Sequence, residues 1–314
     1  MLRRVLAVCC LICCVLLTLV GEVGARTWIV CKDIDLCPIR TIQAGIDSAA
    51  SGDTVMVRLW GNYYENLVIE GKDIVLTHES GSGDASVIVN NTQPALLVRN
   101  CSPEVSNLEF VNTHALAGGG IYVRAEDGQP HTPAFTNCTI RGGYIGFYVN
   151  PGTNTQINNC TIRDNSFKGL RAANGAQVTL SNSWVYQGTP PGMPSEDYAD
   201  LSFDGESDII DGGGNRVGNP AGLLASAQQD SLHIFVENNN SSLVVDVSDF
   251  CWKTQDGGCP DPSQFIGEVV LFPMKVGPNC VLKETPDDCG WPSAGIAPRD
   301  EGAPTWSAIK SMYR

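Results

Sequence analysis

The chain has 314 residues and a formal net charge of −14, from 34 acidic and 20 basic residues. So acidic a chain argues against nucleic acid and anionic membrane as general partners, since both need a basic face. Hydrophobic residues make up 43% of it, enough to fill one extended core rather than leave the chain unfolded.

Residues 1–25 read as a signal peptide. Arg3 and Arg4 form a basic start, an apolar run spans Val5 to Val20, and Val23-Gly24-Ala25 supplies small residues for cleavage. No second apolar stretch follows, so no membrane insertion is expected after cleavage. The expected location is secreted, cell-surface or periplasmic. Nine of the thirteen cysteines lie beyond the signal, and in an exported chain most should pair where geometry allows. Cys31 and Cys37 would close a small loop, while Cys251, Cys259, Cys280 and Cys289 would staple the C-terminal region.

Residues 41–57, TIQAGIDSAASGDTVMV, change period within one line. Ile42, Ile46, Ala49 and Ala50 share one face of a short helix, which ends at Ser51-Gly52-Asp53. Val55 and Val57 then alternate as a strand. Two further strands follow, joined at Glu70-Gly71-Lys72-Asp73. A short amphipathic helix before a run of strands is suited to cap an otherwise open apolar end.

The strings FTNCTIRGG (135–143) and INNCTIRDN (157–165) are near copies 22 residues apart, with worn copies at 105–113 and 180–188. A second series runs beside them: GIYVRAEDG (120–128), GFYVNPGTN (146–154) and GLRAANGAQ (169–177). Within each string apolar and polar residues alternate with the period of a strand. A unit of this length can bury its apolar side only by stacking on neighbouring units, so the fold class is an all-β solenoid with an N-terminal helical cap. Asn137 and Asn159, with Asn107 and Asn182, should stack as an amide ladder at a sharp turn. Cys138 and Cys160 should point inward beneath one another as packed thiols.

Residues 188–215, rich in Pro, Gly and acids, read as a long loop interrupting the array. Beyond about residue 250 the chain is Gly- and Pro-rich with few strand signals. The expected organisation is a solenoid over 26–250, an irregular disulfide-held region over 251–302 and a tail over 303–314. In the tail, Trp306, Ile309 and Tyr313 share one face of a short helix, which suggests a docking or sorting partner for this segment.

The pattern Thr41-Ile42-Gln43, Ile46-Asp47, Gly52-Asp53, Val55, then Gly61, Tyr63, Glu65-Asn66 and Ile69 resembles the opening of pectin-lyase-like right-handed parallel β-helix proteins. The later rungs fit the same superfamily over roughly residues 40–220. The resemblance implies a right-handed parallel β-helix; it does not name an activity, because this scaffold hosts many.

Two outward ladders carry the functional expectation. Arg141, Arg163 and Tyr186 should stack in one, and Tyr122, Tyr148 and Arg171 in the other. Tyrosines offer an apolar plane with a polar edge, and guanidinium groups bind carboxylates bidentately. These six residues would suit a polysaccharide or cell-surface glycan lying along the rungs, an acidic one included. The leading expectation is therefore a non-catalytic carbohydrate-binding or adhesion module. The alternative is a polysaccharide lyase acting on uronate polymers by β-elimination, with Arg141, Arg163, Lys168 or Arg171 as base. No cofactor is required by the sequence; calcium is left open through Asp204, Glu206 and Asp208 in the acidic stretch 196–211. None of the four histidines is flanked by glycine on both sides, and no Ser/His/Asp or Cys/His constellation stands out by spacing.

Overall fold

The computed structural model describes residues 24–33, 35–58, 61–79, 85–114, 117–186, 199–204 and 207–218, and shorter stretches from there to residue 289. The signal segment up to residue 23, most of the acidic stretch before residue 199, Glu206, Cys280 and the tail 303–314 lie outside the described residues.

Three parallel sheets wind around one core. The first sheet has eight strands: Thr27–Val30, Thr54–Val57, Val75–His78, Glu104–Ser106, Ala134–Thr136, Asn154–Asn158, Gln177–Ser181 and Asp208–Asp211. The second also has eight: Leu67–Glu70, Leu96–Arg99, Gly119–Arg124, Ile145–Val149, Lys168–Ala173, Ala199–Asp204, Ile234–Asn238 and Phe265–Ile266. The third starts with Gly61–Tyr63, Ala85–Val89, Glu109–Asn112, Thr139–Arg141, Thr161–Arg163 and Trp184–Tyr186. It continues through Arg216–Val217, Cys251–Trp252 and Met274–Val276 to Val281–Lys283, which pairs antiparallel.

Each strand pairs with its counterpart one turn of chain away, and like side chains stack. Ile140 lies on Ile162 and Ile162 on Val185, all fully buried. Phe135, Ile157 and Leu180 form a second internal column, and Phe147, Leu170 and Leu201 a third. Phe135 and Phe147 meet edge to face at 4.8 Å across the core.

The turn between the first and third sheets explains the repeated asparagines. Asn107, Asn137, Asn159 and Asn182 all have φ between 49° and 60°, a region that Asn tolerates better than most residues. Their amides link the rungs: Asn137 Nδ2 donates to Asn107 Oδ1 at 3.1 Å, and Asn159 Nδ2 donates to Asn137 Oδ1. Asn182 steps aside and donates to Asn158 instead. The residue after each asparagine turns inward, and a second ladder forms there. The Cys138 amide donates to Cys160 Sγ, the Cys160 amide to Ser183 Oγ, and the Ser183 amide to Asn215 Oδ1. Each inward side chain thus accepts a backbone N–H that a purely apolar column would leave buried without a partner. Cys138 and Cys160 are free, buried thiols, while Cys31–Cys37 and Cys259–Cys289 are disulfides and Cys251 is disulfide-bonded as well.

Helix α1 (Ile42–Ser48) covers the first rungs. Thr41 caps it through a bond from the Ala44 amide, and the Glu65 carboxylate accepts from the Ile42 and Gln43 amides at 2.8 and 2.9 Å. At the other end Lys72 Nζ donates to the Ile46 and Ala49 carbonyls. Gly45 is required by packing: a Cβ there would sit 2.7 Å from Val30 Cγ2 and 2.9 Å from Val55 Cγ1. Ala50 departs from the expected apolar face, since the helix ends at Ser48 and Ala50 is exposed.

Two further departures concern the array. Residues 199–204, expected as loop, form a strand whose Ala199, Leu201 and Phe203 are fully buried. The acidic residues around that short alternating run obscured it. Past residue 250, where irregular chain was expected, Cys251–Trp252, Phe265–Ile266 and Met274–Val276 continue two of the sheets. Strands of two or three residues are too short to show a period in sequence.

Candidate functional site

The outer face of the second sheet carries one continuous column. In each strand the inward residues are apolar and buried, such as Ile121 and Val123, Phe147 and Val149, or Leu170 and Ala172. That alternation forces their neighbours outward. Register places Val68, Leu97, Tyr122, Tyr148 and Arg171 on successive rungs, each half-buried. The next residue, Ser202, is buried, so the open part of the column ends at Arg171.

The aromatic members interlock. The Tyr122 and Tyr148 rings meet edge to face at 5.2 Å, and the Arg171 guanidinium lies 5.2 Å from the Tyr148 ring centroid. Burial pushes the Tyr122 hydroxyl up to about 12, so it remains an uncharged O–H donor at neutral pH. Where the chain enters these strands, Tyr144 and Phe167 stack face to face at 4.6 Å. Lys168, only 2% exposed, holds its ammonium 4.5 Å from the Phe167 centroid. The opposite border of the column is ionic: Arg99 pairs with Glu70 at 2.6 Å and reaches Glu126, and Arg124 also pairs with Glu126. Arg171 itself donates to Asp204 on the following rung.

The other expected ladder lies on the third sheet. Arg141, Arg163 and Tyr186 are in register on successive rungs. Arg141 donates to Glu109 at 2.6 Å, and Arg163 pairs with Asp164 beside it. Burial would raise the Glu109 carboxyl, but hydrogen bonds from Arg141 and Ser86 and the charges of Arg141 and Arg163 outweigh it, holding the group below its usual range. Tyr186 keeps its place in this outward ladder beside the inward Val185 but is covered there: it is 8% exposed, packs on Trp184 at 4.7 Å, and has its hydroxyl shifted upward by burial. The two ladders therefore do not form one surface of equal accessibility; the open aromatic face belongs to the second sheet.

Tyr144 and Phe167 escaped the sequence pattern for a definite reason. Arg141 and Arg163 are 22 residues apart, but Tyr144 and Phe167 are 23 apart, because the turn Asp164-Asn165-Ser166 is one residue longer than Gly142-Gly143. A fixed offset misses them, whereas aligning the two strands that follow would have found them. Of the calcium candidates, Asp204 is bound to Arg171, Asp208 contributes a strand backbone that pairs with Gln177, and Glu206 is outside the described residues. Among the described residues no group of three or more His, Cys, Asp or Glu side chains is placed to hold a metal ion.

A family model, the right-handed β-helix region, matches residues 72–241, more than half of the chain. The chain belongs to the right-handed β-helix family. Among solved structures this β-helix protein is similar to a pectin methylesterase in complex with a hexasaccharide, at 12% identity and a TM-score of 0.52, over 83% of this chain and 85% of the other. It is similar to the same extent to pectin methylesterase PemA from Erwinia chrysanthemi, with 12% identity, a TM-score of 0.52 and coverage of 83% and 85%. Pectate lyase Pel9A overlaps at 12% identity and a TM-score of 0.45, over 89% of this chain and 83% of that one. For the two pectin methylesterases, at 12% identity, the likeness concerns the fold alone. No curated protein matches this chain. Among the described residues no helix is long and apolar enough to cross a membrane.

Proposed function

We propose that this β-helix protein is an exported, non-catalytic module that binds a polysaccharide or cell-surface glycan, and that its site is the outer column Leu97, Tyr122, Tyr148 and Arg171 with the Tyr144–Phe167 stack beside it. The supporting observation is the half-exposed aromatic column running along the rungs. Rungs of a parallel sheet repeat at about 4.8 Å, a spacing close to the advance of one sugar residue in an extended polymer. Aromatic planes with polar edges suit the apolar faces and hydroxyl rims of sugar rings. The disulfides Cys31–Cys37 and Cys259–Cys289 fit an oxidising compartment and so support export.

A glycan array tests this. The wild-type protein should label at least one polysaccharide class, and Tyr148→Ala should reduce that signal roughly tenfold, the scale of losing one well-packed aromatic contact. Labelling that is unchanged by Tyr148→Ala would move the site elsewhere. The rival reading, a uronate lyase, draws on Lys168 and Arg171 lying within one strand beside Asp204. It requires an unsaturated, ultraviolet-absorbing product from pectate or alginate, with or without added calcium, and loss of that product in Arg171→Ala.

A further inference from the structure

We infer that the glycan bound by this column is uncharged rather than a uronate polymer; this rests on the carbohydrate reading of the column and adds the chemistry of the ligand. Recognition of a polyanion needs cations whose charge is available. Here each arginine around the site already has an acidic partner: Arg171 with Asp204, Arg99 with Glu70 and Glu126, and Arg124 with Glu126. On the neighbouring sheet Arg141 is held by Glu109 and Arg163 by Asp164. Lys168 is buried against the Phe167 ring.

A carboxylate arriving at Arg171 would have to share the guanidinium with Asp204. That pair is part-buried, so a competing carboxylate would either leave Asp204 without its partner in a poorly hydrated place or set two carboxylates side by side. The chain as a whole, at −14, repels a polyanion over longer range. What remains available along the column is apolar or neutral: Val68, Leu97 and the Tyr122 and Tyr148 rings, with Tyr122 holding its proton. The arginine–acid pairs then serve as fixed polar borders that hydrogen-bond sugar hydroxyls without requiring charge on the ligand.

Affinity gels containing galactan, xyloglucan, mannan, polygalacturonate or alginate separate the possibilities. Wild-type protein should be retarded by a neutral polymer and not by polygalacturonate or alginate, with retardation insensitive to added salt. Asp204→Asn should keep the wild-type circular-dichroism spectrum, which reports an intact fold, and should acquire the retardation by polygalacturonate that the wild type lacks, because Arg171 then has no competing carboxylate. Glu126→Gln, on the opposite border, should act in the same direction. Wild-type retardation by polygalacturonate or alginate that fades with salt would overturn the inference while leaving the carbohydrate reading in place. Absence of retardation on all five gels would overturn both.

Discussion

Asp53 accepts hydrogen bonds from the Trp28 indole and from the Arg26 and Ala50 amides, and these bonds lower its carboxyl from 3.8 to about 2. A folded-state value below the unfolded one means that folding favours the charged form. The contribution is complete above about pH 4 and disappears as pH falls through about 2. Protection factors for exchange at the Trp28 indole and the Arg26 amide should therefore fall across that interval, and Asp53→Asn should remove the dependence. Asn159 offers a second residue-scale test. Its φ of 51° and its amide bond to Asn137 are separate contributions. Asn159→Ala should cost about 1–3 kcal/mol, combining left-handed strain with a lost bond. Asn159→Gly should cost about 1 kcal/mol less because glycine accepts the backbone geometry. Equal melting temperatures for the two variants would show that the backbone conformation is not what selects asparagine. The asparagine ladder was legible in the sequence because it repeats at one spacing. The Asp53 clamp was not, because two of its three donors, Trp28 and Arg26, lie 25 and 27 residues earlier in the chain.

At the scale of an element, helix α1 illustrates how little of a seven-residue helix is intrinsic. A helix this short is unstable alone in water. Glu65 places a carboxylate on its first amides, where the helix dipole favours negative charge, and Lys72 closes the last carbonyls. Gln43 also bonds the Val68 backbone in both directions, tying the helix to the first strand of the second sheet. Glu65→Ala should lower the free energy of unfolding by about 1–3 kcal/mol in urea titration, with Glu65→Gln intermediate. If Glu65→Ala matches the wild type, the packing of Ile42 and Ile46 suffices to hold the helix. The spacing of Ile42 and Ile46 announces the helix in the sequence. The clamp from Glu65 can only be seen once the intervening chain has turned back.

For the molecule as a whole, the central rungs should behave as the sealed part of one stack. Cys101, Cys138 and Cys160 are free and buried, so none should react with a thiol reagent until the array opens. Labelling followed by mass spectrometry should show all three protected in native buffer and all three modified in denaturant. Early reaction of Cys138 or Cys160 would reveal local opening of the central rungs. Ile162, fully buried between Ile140 and Val185, is a complementary probe. Ile162→Ala should destabilise the protein by about 2–5 kcal/mol, since rungs on both sides limit collapse of the cavity.

At this same scale the division between sequence and tertiary structure has a physical cause. The solenoid, the inward cysteines and the asparagine turn were determined by the sequence, because strand alternation and repeat spacing are written within one or two rungs. Exposure and charge state were decided only by the stacking. Arg171 meets Asp204 33 residues away and Arg141 meets Glu109 32 residues away. Rung lengths are irregular: Tyr122 to Tyr148 is 26 residues, but Tyr148 to Arg171 is 23. No fixed period relates such partners, so an arginine that reads as a free cation in the sequence becomes half of an ion pair in the fold. Tyr186 shows the same limit, for register set its place in the column and tertiary packing buried it.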